Sequence, residues 1–145
     1  MSYPDYLIRG IPNQSFIDED DLVSAQLFYF NKPESVRSPG YLEESINWHD
    51  DAGAIEHTFD QTKEDGTVQF KAGIAILSRS ELDRLKNNPR LKNRFDYERC
   101  CLPTNQYHGN MLLKVEASTQ LKRMIAAYLA LNVSQIIKRE DYESQ

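Results

Sequence analysis

Gly73-Ile74-Ala75-Ile76-Leu77-Ser78-Arg79-Ser80-Glu81-Leu82-Asp83-Arg84-Leu85 changes character in mid-run. Its first five residues read as a strand. Ser78 and Glu81 then match a capping box, in which a serine hydroxyl and a glutamate carboxylate satisfy free amides at a helix start. Leu82 and Leu85 lie on that helix, and Asn87-Asn88-Pro89 stops it. Just upstream, Lys63-Glu64-Asp65-Gly66 is a turn with the Asp-Gly hairpin signal, and Thr67 to Phe70 is further strand material.

Outward from this segment the same alternation of short strands and scattered helices continues. Tyr6 to Pro12 reads as a short strand and the aromatic-rich Leu22 to Phe30 as a buried one. Asn31 to Gly40, with Pro33, Ser35, Ser38 and Pro39, reads as a mobile loop. Tyr41 to Trp48 fits either helix or strand. A helix starts at Asp50 or Asp51, since aspartate caps helices well, and Ala52, Ile55 and Phe59 share one of its faces. Phe95 to Leu102 and Met111 to Val115 read as strands joined by a loop holding Pro103 and Gly109. Leu121, Met124, Ile125, Tyr128 and Leu129 follow the i, i+3, i+4, i+7, i+8 spacing of an amphipathic helix from near Ser118 to about Leu131.

The order β-β-(β)-α-β-β-α-β-β-α implies an α+β fold. The expected architecture is a mostly antiparallel sheet with helices packed on one face and a C-terminal amphipathic helix. Too few helices lie between strands for a doubly wound sheet. Residues 1–138 read as one domain and 139–145 as a frayed acidic tail. With 145 residues the chain is one ordinary domain, able to bury a core without disulfides or structural metal.

No apolar run approaches the roughly 20 residues that span a bilayer, so no membrane partner is expected. The first residues lack the layout of a signal peptide. Cys100 and Cys101 are adjacent and form no disulfide framework, so a cytoplasmic protein with reduced thiols is expected. The net charge of −5 disfavours general nucleic-acid binding. The charge is uneven, acidic from Tyr41 to Asp65 and basic from Arg79 to Arg99. Surfaces of opposite sign suit a protein partner or a second copy. The basic stretch contains Phe95 and Tyr97, but Asp83, Asp96 and Glu98 dilute it as a single-strand-binding signal.

All three histidines fall in two polar segments, His49-Asp50-Asp51 with His57, and Tyr107-His108-Gly109-Asn110. Histidine titrates near neutral pH and ligates metals. Asp50, His57 and His108 are the candidate metal ligands, a nitrogen and oxygen set suited to a divalent ion such as zinc, iron or manganese. The spacing matches no standard metal motif. The plainer alternative is a capping aspartate with surface histidines. His108 and His49 are candidate acid/base groups, with Asn110 to position an oxyanion. Against that, residues 105–110 read as a polar turn with Gly109 at positive φ. A thiolate–imidazole pair of Cys100 or Cys101 with His108 is a further possibility. Phe28-Tyr29-Phe30, and Trp48 with Tyr41, are core or a partner surface.

The expected function is a non-catalytic binding or interaction module, for a protein partner or self-association, with no cofactor. The alternative is a small hydrolase or nuclease-like enzyme, metal-dependent or not. It would use His108 and His49 with Asp50 or Asp51, and Asn110 for positioning.

Overall fold

Six strands build the computed structural model, which describes residues 3–144. They are β1 (Tyr6–Ile11), β2 (Tyr41–Trp48), β3 (Gly73–Ser78), β4 (Phe95–Arg99), β5 (His108–Lys114) and β6 (Gln135–Lys138), with β3 and β5 buried on both faces. They form one sheet in the order β4-β5-β2-β1-β3-β6, every neighbouring pair antiparallel. The helices are α1 (Ala52–Asp60), α2 (Arg79–Lys86), α3 (Thr119–Leu131) and α4 (Arg139–Glu143). The chain is a single α+β domain.

The helices do not share one face. The larger core lies on the face of Leu7, Leu42, Ile46, Trp48, Leu77 and Met111, under Leu82 and Leu85 of α2 and Leu121, Ile125 and Leu129 of α3. That much fits the expected one-sided packing. On the other face Ile8, Ile74 and Ile76 pack against Ala54 and Phe59 of α1. The reason is handedness. The strand order makes β2, β3 and β4 run one way and β1, β5 and β6 the other. The links β2-α1-β3, β3-α2-β4 and β5-α3-β6 are therefore parallel crossovers, which are almost always right-handed. β2 to β3 and β3 to β4 step across the sheet in opposite senses along the same strand direction, so α1 and α2 fall on opposite faces. The β5-to-β6 link steps with α1's sense along reversed strands, which returns α3 to the side of α2.

Several local expectations need correction. Leu22 to Phe30 is no strand. Ser24 Oγ accepts from Gln26 N at 3.1 Å and starts a 3-10 turn, Ala25–Phe28, which buries Leu27 and Phe28. A serine able to cap locally competes with the sheet ladder. The Asp65-Gly66 turn closes only the isolated bridge Thr62↔Val68. Asp51 is the α1 cap, accepting from Gly53 N at 2.9 Å. Ser78 caps α2, but Glu81 bonds Arg84 and Tyr128 instead of closing the box. The acidic tail folds as α4. Arg139 donates to Phe59 O at 2.6 Å and to Phe70 O at 3.0 Å, and Tyr142 stacks on Phe59 with centroids 4.0 Å apart.

Candidate functional site

The site begins with a discontinuity in the sheet. β1 is in register with β3 from Tyr6 to Ile11, and β2 with β5 from Tyr41 to Asn47. Between β1 and β2 the register covers only Leu7↔Trp48 and Ile8↔Asn47, and then the strands part. Backbone groups of alternate residues point to opposite neighbours. Ile11 O accepts from Ala72 N on the β3 side, so Gly10 turns its N–H and C=O toward the gap. His49 N donates to Tyr6 O, so Glu43 and Ser45 of β2 face the gap as well.

Arg9 is the wedge. Its Nε donates to Leu27 O at 3.0 Å, Nη1 to Ser45 O at 2.6 Å and Nη2 to Glu44 Oε2 at 2.8 Å. Glu44 is 1 % exposed. Its other oxygen, Oε1, is the one buried side-chain polar atom among the described residues that has no hydrogen-bond partner. Leaving a buried acceptor unmatched costs about 1–3 kcal/mol, and a buried ion pair is seldom better for stability than apolar side chains of the same volume.

The gap opens into a cleft of about 730 Å³ bounded by Arg9, Gly10, Leu27, Glu44, Ser45, Asn47, His57, Gln61, Phe70, Asn105 and His108. Ligand sites commonly span about 300–1,000 Å³. One wall is a preset chain of amides. Asn47 Nδ2 donates to Thr58 Oγ1 and Gln61 Oε1, both at 2.8 Å, and Asn105 Nδ2 donates to Asn47 Oδ1 at 2.8 Å. Asn105 Oδ1 in turn accepts from Tyr107 N at 3.0 Å. This network ties β2, the end of α1 and the 100–107 loop into one rigid wall.

Compared with family models, curated proteins and solved structures, the chain matches none.

Of the three histidines, His57 and His108 line the cleft. His49 lies beyond the end of β2 and is not among its walls. Burial holds the His108 imidazole below its ordinary pKa, helped by Arg37 and Lys32 and opposed by Glu43. The His57 ring lies 5.7 Å from that of Tyr107. His108 and Asn110 belong to β5 and not to a turn, and Gly109 between them has no positive φ. Gly109 is needed for close approach, because a Cβ there would run into Trp48 Nε1 and Glu98 O. Asn110 is buried against Glu98, donating to its Oε2 at 3.0 Å, and is not part of the cleft.

The proposed metal set Asp50, His57 and His108 does not assemble. Among the described residues no three His, Cys, Asp or Glu side chains are placed to hold an ion. Asp50 is instead gripped by Arg99 Nη1 and Nη2 at 2.8 and 2.6 Å. Asp51 caps α1 and accepts from Tyr107 Oη at 2.9 Å. Cys101 Sγ donates to Gln106 O at 3.1 Å. The 31–40 loop, read as mobile, is tied to the sheet: Arg37 pairs with Glu43 and Glu98, and Ser35 N donates to Tyr41 O. Among the described residues no helix is long and apolar enough to cross a membrane.

Glu44 and its pairing with Arg9 were not expected from the sequence, yet a signal for both was present. Leu7-Ile8-Arg9-Gly10-Ile11 sets a lone charge inside an apolar strand. In Leu42-Glu43-Glu44-Ser45-Ile46-Asn47-Trp48 the period of two puts Glu44 on the face of Leu42, Ile46 and Trp48. An arginine and a glutamate on buried faces of two early strands are candidates to pair.

Proposed function

We propose that the protein is a non-catalytic binding module for a protein partner, which enters as an extended peptide segment in the gap between β1 and β2. One observation carries this reading: two strands that keep full register with their outer neighbours abandon each other after two residue pairs. Strands with unpaired backbone edges accept a further chain through main-chain hydrogen bonds. From Glu43 to Ile46 the gap edge runs about 10 Å at ~3.3 Å per residue, room for a segment of about three residues. The preset amide wall supports binding, since groups already held in place need no ordering when the ligand arrives.

The test is a selection of random linear peptides on the full chain. The expected result is a consensus whose synthetic peptide slows amide exchange at Gly10 and Ser45. Replacing peptide residues by proline at alternate positions should abolish binding, because proline removes the donor. No consensus, or a peptide that tolerates proline throughout, overturns the reading.

A second reading, a small hydrolase acting on such a segment, is favoured by His108, whose imidazole is held below its ordinary pKa by burial in the same cleft. A general base needs a third group to orient it, and among the described residues neither cleft histidine donates a side-chain hydrogen bond to a carboxylate. Cleavage of the selected peptide, lost in His108→Gln, would support the enzyme, and recovery of intact peptide removes it.

A further inference from the structure

Resting on the cleft as the ligand site, we propose that its inner end is a carboxamide subsite, built by Glu44 and Arg9 to take a primary amide such as an asparagine or glutamine side chain. The argument is hydrogen-bond accounting. Arginine carries five N–H donors. Arg9 commits three, to Leu27 O, Ser45 O and Glu44 Oε2, and two Nη hydrogens remain. Glu44 lines the cleft, and its Oε1 is buried with no partner. The pair therefore offers one unmatched acceptor beside two unmatched donors.

Charge decides between the ligand classes that fit. Arg9 already neutralises Glu44 at 2.8 Å. An ammonium or guanidinium on Oε1 would leave a net buried positive charge, and a carboxylate on Arg9 a net negative one; either is expensive in a dry site. A primary amide brings an N–H for Oε1 and a C=O for Arg9 without adding charge. A hydroxyl supplies one group that must serve both, and a tertiary amide supplies no donor. Oε1 is closed to solvent, so the amide reaches it only if a wall of the cleft gives, and Leu27 lines the cleft beside Arg9. Leu27 belongs to a single 3-10 turn held to Arg9 through Leu27 O.

The probe is acetamide, titrated into the full chain and followed by NMR at the Arg9 Nε–H, the Glu44 side-chain carboxyl carbon and the Leu27 amide. At a ceiling of about 1.5 kcal/mol per heavy atom, four heavy atoms cannot bind tighter than tens of micromolar, so the titration runs into the millimolar range. Acetamide should move all three signals saturably, while N,N-dimethylacetamide, acetate and methylammonium should not. Glu44→Gln, which replaces the acceptor by a second donor, should weaken the response at least ten-fold. If that variant does not fold, the comparison of acetamide with N,N-dimethylacetamide on the native chain decides alone. Equal shifts from both, or none from acetamide, overturn the subsite. A selected peptide that binds the gap but carries no Asn or Gln would do the same while leaving the peptide-binding reading intact.

Discussion

The two faces of the sheet are built on different principles. The face under α2 and α3 is mostly apolar, with Trp48, Phe28, Phe30, Leu77, Leu82 and Phe95 each no more than 2 % exposed, and the Arg9–Glu44 pair is the polar exception within it. The face under α1 has a small apolar cluster around Ile8, Ile74, Ile76 and Phe59, and beside it an amide network, two histidines and the parted strands. Apolar burial is non-directional and tolerates many arrangements. Buried amides are directional, and they stabilise only where every partner is in place. One face therefore holds the fold, and the other holds particular groups at particular points. The unmatched oxygen of Glu44 lies where the gap joins the two, reached from a strand whose neighbours Leu42 and Ile46 are in the larger core.

The largest effect that can break this comparison is expected on the first face. Trp48 is fully buried, lies 4.8 Å from the Tyr3 ring and 5.5 Å from that of Tyr97, and donates its indole N–H to Glu98 O at 3.1 Å. Trp48→Ala should cost about 3–5 kcal/mol in urea unfolding, from lost burial and the cavity left behind. A loss under about 1 kcal/mol would mean that this face does not dominate stability.

A smaller loss with a different signature is expected next door. Asn47 follows the same strand but faces the other way, into the amide network. Asn47→Ala strands the Asn105 amide and frees Gln61 and Thr58, at about 2 kcal/mol, within the range for unmatched buried polar groups. Amide exchange near Asn105 and Tyr107 should quicken while that of α3 is unchanged. If α3 loosens equally, the two faces are one cooperative unit and do not hold separate roles.

What was legible in the sequence divides along the same line. The run from Gly73 to Leu85, the Asp51 cap and the spacing of Leu121, Ile125 and Leu129 are local signals, and local signals set elements and fold class. The two-sided helix arrangement was not legible, because it depends on strand order, and strand order depends on pairings such as Asn47↔His108 that join distant residues. The same holds for the site. Asp50 looked free to bind a metal because its partner Arg99 is 49 positions away. His108 and Asn110 looked like a turn because glycine usually marks one, whereas Gly109 is there to let the Trp48 indole approach. Arg9 and Glu44 lie 35 positions apart, so their pairing was hidden, although the place of each on a buried strand face was readable from period alone.

The smallest expected effect sharpens the contrast through pH. Burial, with Arg37 and Lys32 nearby, depresses the His108 pKa in the folded chain, while the unfolded imidazole titrates near about 6.5. As pH falls through the unfolded value, the unfolded chain takes up a proton before the folded chain does. Stability then declines with falling pH, and the decline ends once pH passes below the folded pKa. Native protein should therefore lose stability relative to His108→Gln between about pH 7 and pH 5, and the two should run parallel above about pH 7.5. The effect is modest, because the imidazole is only half-buried and solvent screens its neighbours. Trp48→Ala should lower the whole curve without changing that slope, since it acts on the apolar face, whereas Asn47→Ala, by opening the wall beside His108, should flatten it. Curves for native protein and His108→Gln that stay parallel down to about pH 5 would place the imidazole in solvent, with no desolvation in the cleft to depress its pKa.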